Sequence, residues 1–250
     1  MVREFYNTYG YYFIKVWCIH VLAILGFFIL DSTHITIGLI VGVLFWHLYG
    51  LVFHDWISHE YIKPRNRVVT WLMLFVFYSQ DNTIRKKKNY HVYHHRHWQD
   101  AEIDPTCQKL AGLSLFRYLF SLHKPVAQNI PEVSNSILET NPQIKFLDNN
   151  SRKLYFALLI LSWAVLPFAW FFIAAVYIPW VIIMLANYHD YFFHGPIQGQ
   201  DRSILTLIFS CQAWHLEHHK HWHNEYYGPG YWRLINPTWY YRKLFFAPFI

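Results

Sequence analysis

The chain has 250 residues, of which 54% are hydrophobic, 21% aromatic and only 14% charged, and its net charge is +6. Because a chain this apolar is unusual for a soluble domain, the positive charge favours a membrane surface over nucleic acid as its partner. Three widely spaced cysteines, none in a CxxC pair, argue against a disulfide framework or a zinc ribbon.

Apolar segments predict four transmembrane helices arranged as two hairpins. The first hairpin covers about residues 13–31 and 35–56, and the second about residues 154–171 and 173–190. Each segment approaches the roughly 20 apolar residues that a helix needs to cross a bilayer. The first segment lacks a small-residue cleavage site, so we expect it to act as an uncleaved anchor.

The placement of positive charge predicts the orientation of these helices. All 21 Lys and Arg residues lie near the start of the first span, between the second and third spans, or after the fourth. The positive-inside rule therefore assigns both termini and residues 57–153 and 191–250 to the cytosol. Apolar stretches at 68–79 and 204–213 are too short to span and are predicted to be interfacial or re-entrant. The predicted fold is one all-α integral membrane domain over residues 1–250, with a cytosolic helical cap.

Three histidine clusters fall on the predicted cytosolic side, and the first of them lies at the cytosolic end of the second span. The clusters are an HxxxxH at His54 and His59, an HxxHH at His91, His94 and His95, and a second HxxHH at His215, His218 and His219. Residues three or four apart share a helix face, so each HxxHH directs two or three rings towards one point. Neutral imidazole binds Fe, Zn, Cu and Ni. Eight such rings exceed the needs of one tetrahedral zinc ion, and they suit two metal ions of higher coordination number.

The remaining histidines, a basic run and the absence of other motifs say less about the chemistry of the protein. Five single histidines are interpreted as ordinary surface or core residues, namely His20, His34, His123, His221 and His223. His47 lies one heptad before His54, either as a polar residue near the metal site or as a partner of a ligand. The basic run from Arg85 to Lys88 is interpreted as a solvated face against anionic lipid, with an acidic electron-transfer partner or substrate phosphates as alternatives. Since HExxH, GxGxxG, P-loop and nucleophile-elbow motifs are absent from the sequence, we predict no catalytic residues beyond the metal ligands and no organic cofactor site.

The residues that flank the clusters carry a likeness to one family. Residues 54–64 are similar to an HRxxxHRxxK stretch, residues 94–105 to an HH…D…DP run, and residues 232–239 to a W-x-x-x-DPTW motif. Together with residues 141–147 before the third span, these motifs resemble the membrane fatty acid desaturases of the acyl-CoA or delta-9 type. The likeness extends over roughly residues 35–245.

The resemblance implies a site of two Fe ions held by the eight clustered histidines and by a further NxxxH element. Asn187 matches the Asn of that element, but Tyr191 occupies the position of its His. His194 and His189 flank this gap, and His194 returns to the helix face of Asn187. Asp55 stands where the family often has Arg.

The activity that the resemblance implies is insertion of a cis double bond, at a delta-9-like position, into a long-chain acyl-CoA or acyl-lipid. The reaction would use O2 and a separate electron donor, either cytochrome b5-like or a ferredoxin. Carboxylates that could orient the ligand rings are Asp100, Asp104, Glu217 and Glu225. Alternatives are a related di-iron hydroxylase or carotenoid ketolase or hydroxylase and, from another class, a divalent-metal transporter or storage protein.

Overall fold

The computed structural model describes residues 2–78, 84–98, 100, 102–104, 106, 114–119, 136–193, 206–209, 214–221 and 228–248. Within these ranges, the side chains of residues 2–13, 75–78, 86, 87, 136, 138, 206 and 215 lie outside the description.

The described chain is mostly helical, as predicted. The elements are α1 (Val2–Ile29), α2 (Ser32–Ser58), β1 (Ile62–Pro64), α3 (Arg67–Tyr78), α4 (Ile84–His97), α5 (Leu115–Leu119), α6 (Ser136–Thr140), α7 (Pro142–Val165), α8 (Phe168–Phe193), α9 (Thr206–Phe209), α10 (His215–Lys220), a 3-10 helix (Gly230–Ile235), α11 (Pro237–Phe245) and β2 (Phe246–Pro248). In the described residues, α2 and α8 are long and apolar enough to cross a membrane. Within α1, Ile14–Ile29 forms a shorter apolar segment.

Polar caps and a proline set the ends of the long helices. The Asp31 carboxylate accepts hydrogen bonds from the backbone N–H groups of Thr33 and His34 and so begins α2. The break within the second predicted hairpin lies at Leu166 and Pro167, a few residues before the approximate boundary near residue 172. Leu166 is extended (φ −96°, ψ 141°) because the proline ring that follows disfavours the helical conformation for the preceding residue.

Two glycines bring α2 and α8 into close contact. A Cβ atom on Gly38 would lie 3.1 Å from the Tyr177 Cβ, and one on Gly42 would lie 2.7 Å from the Val181 Cβ. The contact moves from Gly38 to Gly42 along α2 and from Tyr177 to Val181 along α8, so both helices run in the same direction. Their carboxyl ends therefore lie at the same end of the molecule.

Helix α1 packs antiparallel against α8. The Trp180 indole N–H donates to His20 Nδ1 at 3.0 Å, and the Tyr177 hydroxyl donates to the Ala23 carbonyl at 3.4 Å. The contact partner on α1 changes from Ala23 to His20 as the contact on α8 moves from Tyr177 to Trp180, which shows that the helices are antiparallel. Phe27 packs edge-on against the Tyr177 ring, which is fully buried.

A short antiparallel ladder joins the segment after α2 to the segment after α11. Ile62 pairs with Pro248 and Pro64 pairs with Phe246, an element that the all-α prediction missed because three-residue strands show no detectable period. Asn236, in the Asn-Pro-Thr-Trp stretch, is buried and accepts a hydrogen bond from the Thr238 backbone N–H, which caps α11. The stretch thus positions α11 and β2.

Candidate metal centre

A π-helical segment places the first two histidines side by side. The last part of α2, Leu51–Ser58, is π-helical, and the bond from the His59 N–H to the His54 carbonyl at 3.1 Å has the i→i+5 spacing of that helix. Because residues five apart share a face in a π-helix, both rings point to one side, with centroids 4.7 Å apart. An α-helix would have turned them apart.

Five histidines from three elements converge at the carboxyl end of α2. One ligand nitrogen from each lies within 4.8 Å of the others, and the five residues are His54, His59, His91, His95 and His218. The closest contacts are 2.9 Å between the Nε2 atoms of His59 and His91 and 3.2 Å between those of His95 and His218. Two nitrogens bound to one metal ion at about 2.0–2.1 Å, with angles of roughly 90–110°, lie about 2.9–3.4 Å apart. This five-histidine group could therefore hold a metal ion.

A second histidine pair adjoins the five-histidine group. The Nε2 atoms of His94 and His219 are 3.2 Å apart, a separation that again suits two ligands of one ion. The rings of His95 and His219 are stacked with centroids 4.3 Å apart, and Trp98 stacks on the His219 ring at 4.8 Å. The seven imidazoles thus form one continuous cluster.

Two buried carboxylates orient rings in the cluster. Asp104 lies within 2.9 Å of His94 Nδ1 through both of its oxygens, as the sequence predicted for this aspartate. Asp104 is held in turn by the Thr106 backbone N–H at 2.8 Å. Asp55 Oδ1 contacts His54 Nδ1 at 2.7 Å, a role that sequence reasoning missed. A carboxylate on one ring nitrogen directs the other nitrogen towards a metal.

The His54 ring gives the most direct sign that a metal fits. Its Nδ1 is bonded to Asp55, while its Nε2 is buried and has no hydrogen-bond partner among the described residues. A buried polar atom normally has a partner, because its desolvation otherwise goes uncompensated. The His54 ring lies 4.3 Å from the His218 ring and 4.9 Å from the His91 ring, centroid to centroid, and a metal ion held among these rings would satisfy the nitrogen.

Burial favours the neutral form of four imidazoles in the five-histidine group. It lowers the pKa of His59, His91, His95 and His218 well below the usual value of 6.5, and the neighbouring rings lower it further. A neutral ring keeps the lone pair that a metal requires, so at neutral pH these four residues can bind an ion without first losing a proton.

The other predicted ligands are only partly described. Asn187 donates through Nδ2 to the Leu119 carbonyl at 2.9 Å, which docks α5 against α8. His189 is buried and stacks on Phe193, with its Nδ1 3.6 Å from the Asp190 carboxylate. The His215 side chain and all of His194 lie outside the described residues. Metal binding by these four residues stays a prediction.

The other side chains with predicted supporting roles make the following described contacts. Asp100 accepts from the backbone N–H groups of Glu102 and Ile103, and Glu217 pairs with Lys220. These two carboxylates make their described contacts away from the cluster, and Glu225 lies outside the described residues. His47 bonds through Nε2 to the Leu207 carbonyl, which ties α9 to α2.

The basic run on α4 is not uniformly solvated, so that interpretation was wrong for Lys88. Its side chain is buried and in direct contact with the Glu60 carboxylate. Arg85 is exposed and lies 3.9 Å from Asp148. The partner of Lys88 is thus Glu60, the residue that directly follows the first histidine cluster.

Replacing Asp104 by asparagine is expected to weaken metal binding by about 10- to 100-fold, the usual cost of losing a carboxylate behind a ligand ring. The amide keeps the shape but removes the charge that orients His94. Titration of metal-free protein with Co²⁺ measures the change. D100N is the matched control, since Asp100 caps a turn four residues earlier; equal affinity in D104N and D100N would contradict the role of Asp104.

Comparisons with family models, with curated proteins and with solved structures give no match. What the structure establishes is therefore physical: a mostly helical chain with two helices suited to crossing a membrane, and five histidines at the end of one of them that could hold a metal ion.

Proposed function

We propose that this protein is a membrane-bound di-iron fatty acyl desaturase of the delta-9-like type. The observation that carries the proposal is the convergence of seven histidines at the carboxyl ends of two parallel apolar helices. The desaturase-like motifs lie around these same histidines, and that resemblance is the ground for choosing iron. Imidazole rings alone would also accept zinc or copper.

The proposed site takes two metal ions because the donors exceed the needs of one. The five-histidine group would hold the first ion. His94 and His219 would contribute to the second, with His215, Asn187 and either His189 or His194 as further candidates. An ion with four to six ligands could not use all seven described rings.

The proposed membrane placement has four spans in two hairpins. Helices α2 and α8 have the required length and composition, and α1 and α7 precede them as the first arms of the hairpins. Side chains on the outer surface of α7 and α8 support lipid contact, since Ile160, Trp163, Val165 and Phe168 are all at least 60% exposed. The histidine cluster, both termini and the cap would then face the cytosol.

In this proposal, bound iron supplies the activation of O2 and the oxidation of unactivated C–H bonds. The residues of the chain orient and shield that chemistry. Asp55 and Asp104 fix the directions of the His54 and His94 rings. The buried rings, with Trp98 over His219, exclude water from the reacting carbons. The acyl chain would approach from the apolar side, between the spans and the cap.

The position of the cluster speaks against a metal transporter. A transporter places its ligands near the bilayer midplane. Here the His54 ring lies in the last turns of α2, after Leu51, and His59 directly follows the helix. The middle of α2, which would lie near the bilayer midplane, carries none of the clustered histidines. A site at a helix end suits a membrane-surface enzyme that receives electrons from a cytosolic or surface-bound donor.

Expression in a host that lacks its own desaturase is expected to produce new unsaturated fatty acids only when O2 is present. Gas chromatography with double-bond location measures the product, and chelation of iron should abolish it. The variant H94A should make none. Full desaturation by H94A with iron retained would refute the proposal, whereas hydroxylated lipids or altered carotenoids would assign the chain to the related di-iron oxygenases.

A further inference from the structure

An ion pair joins the two segments that carry the first and second histidine clusters. The Lys88 ammonium contacts the Glu60 carboxylate, and their side chains are only 4% and 21% exposed. Glu60 directly follows His59, and Lys88 lies one helical turn before His91. Since the Nε2 atoms of His59 and His91 are themselves 2.9 Å apart, two adjacent contacts connect the same two segments.

The backbone of Glu60 adopts a left-handed conformation that is unfavourable for residues other than glycine. Its φ is +57°, and within the described residues it is the one non-glycine residue with positive φ. Glu60 lies two residues beyond the π-helical segment, which ends at Ser58, and the N–H of Tyr61 donates to the Asp55 carbonyl at 2.9 Å. Glycine would adopt this conformation with less strain. Glu60 occupies this position despite the backbone cost, and its carboxylate is the group that contacts Lys88.

The burial of Lys88 separates this pair from the other lysine and arginine ion pairs that the structure describes. Arg85 with Asp148 and Lys220 with Glu217 both keep the cation about half exposed, at 51% and 50%. A buried ion pair adds little stability over a well-packed apolar pair, because both charges lose their hydration. In some proteins such a pair fixes geometry instead, and here the buried Lys88 ammonium cannot leave the carboxylate without a large desolvation penalty.

We propose that Glu60 and Lys88 are positioning residues whose ion pair sets the approach of α4 to the end of α2, so that His59 and His91 meet at one metal ion. The inference rests on the proposed function insofar as it requires the cluster to bind metal. Beyond the proposed function, the inference states that an ion pair of two residues that do not bind the metal controls the geometry of the metal site.

The test compares E60Q, K88M and the charge-reversed double variant E60K/K88E with the wild-type protein. Each purified, metal-free protein is titrated with Co²⁺, whose visible absorption reports affinity and coordination geometry. We expect E60Q and K88M to lose about 10- to 100-fold in affinity, as for other residues that orient ligands. Their spectra at saturation should also change, and E60K/K88E should recover most of both losses. R85M, which removes an exposed cation from the same helix, is the matched control and should bind like wild type.

The outcomes separate this inference from the proposed function. Failure of the wild-type protein to bind Co²⁺ would overturn both. Normal binding and an unchanged spectrum in E60Q would overturn the inference alone, as would a double variant no better than the single ones. A loss of thermal stability with an unaltered saturated spectrum would reduce the pair to a purely structural role. If K88M does not fold, E60Q and the double variant decide the question.

Discussion

Replacing His95 by alanine is expected to abolish product formation and to remove most of the bound metal. The ring centroid of His95 lies between 4.3 and 4.8 Å from those of His59, His91, His218 and His219. It belongs to the five-histidine group and also contacts the adjoining pair, so its loss affects both proposed ions. Metal analysis of the purified protein and fatty acid analysis of the expressing host measure the two effects.

His97 provides the control for this prediction. It lies on the same helix, two residues away, and its ring packs against Tyr93 instead of the cluster. H97A should keep its metal and its product, and both variants should elute as folded protein in size-exclusion chromatography. A folded H95A protein with wild-type metal content and full activity would contradict the assignment of the metal centre.

Replacing Gly42 by leucine is expected to prevent α2 and α8 from packing and to abolish the yield of folded protein. Even the Cβ of alanine would lie 2.7 Å from the Val181 Cβ, closer than carbon atoms approach without displacement. Overpacking of this kind costs about 1–3 kcal/mol, so G42A should fold with a lower midpoint of thermal unfolding. The measurement is thermal unfolding of detergent-solubilised protein.

Two further variants test the cause of that destabilisation. V181A removes the atoms that the new methyl group meets, so G42A/V181A should recover part of the lost stability. G50A lies in the same helix, where an added Cβ meets no described atom within 4 Å, and it should be neutral or stabilising by about 0.5–1 kcal/mol. If G42A were as stable as G50A, close contact at Gly42 would not be what holds the two helices together.

The helices and the members of the cluster were predictable because both leave periodic signals in the sequence. Long apolar runs indicated the helices, and the HxxHH spacing indicated which rings of α4 and α10 share a face. Sequence reasoning named Asp104 as one of four carboxylates that could orient a ligand ring, and the structure places it against His94. These signals come from local geometry, which one sequence suffices to reveal.

The features that were missed depend on contacts between distant segments or on rare backbone geometry. Nothing in the letters of residues 51–58 distinguishes a π-helix from an α-helix, although that choice brings His59 beside His54. The partner of Lys88 stands 28 residues earlier in the chain, and no local pattern connects it to Glu60. The close packing at Gly38 and Gly42 was also missed, because it depends on Tyr177 and Val181, which lie more than 130 residues later in the chain.

The ladder between β1 and β2 has a consequence for how the protein matures. Its two strands come from widely separated parts of the chain, and so do the three histidine clusters. A ribosome adding about 5–20 residues per second needs on the order of 10 s to proceed from His59 to His218. During that interval His54 and His59 have emerged without the rings that face them in the fold. We therefore expect metal to enter late in biosynthesis, so that, in the proposed membrane placement, a shortage of metal leaves an inserted apoprotein and does not stall insertion.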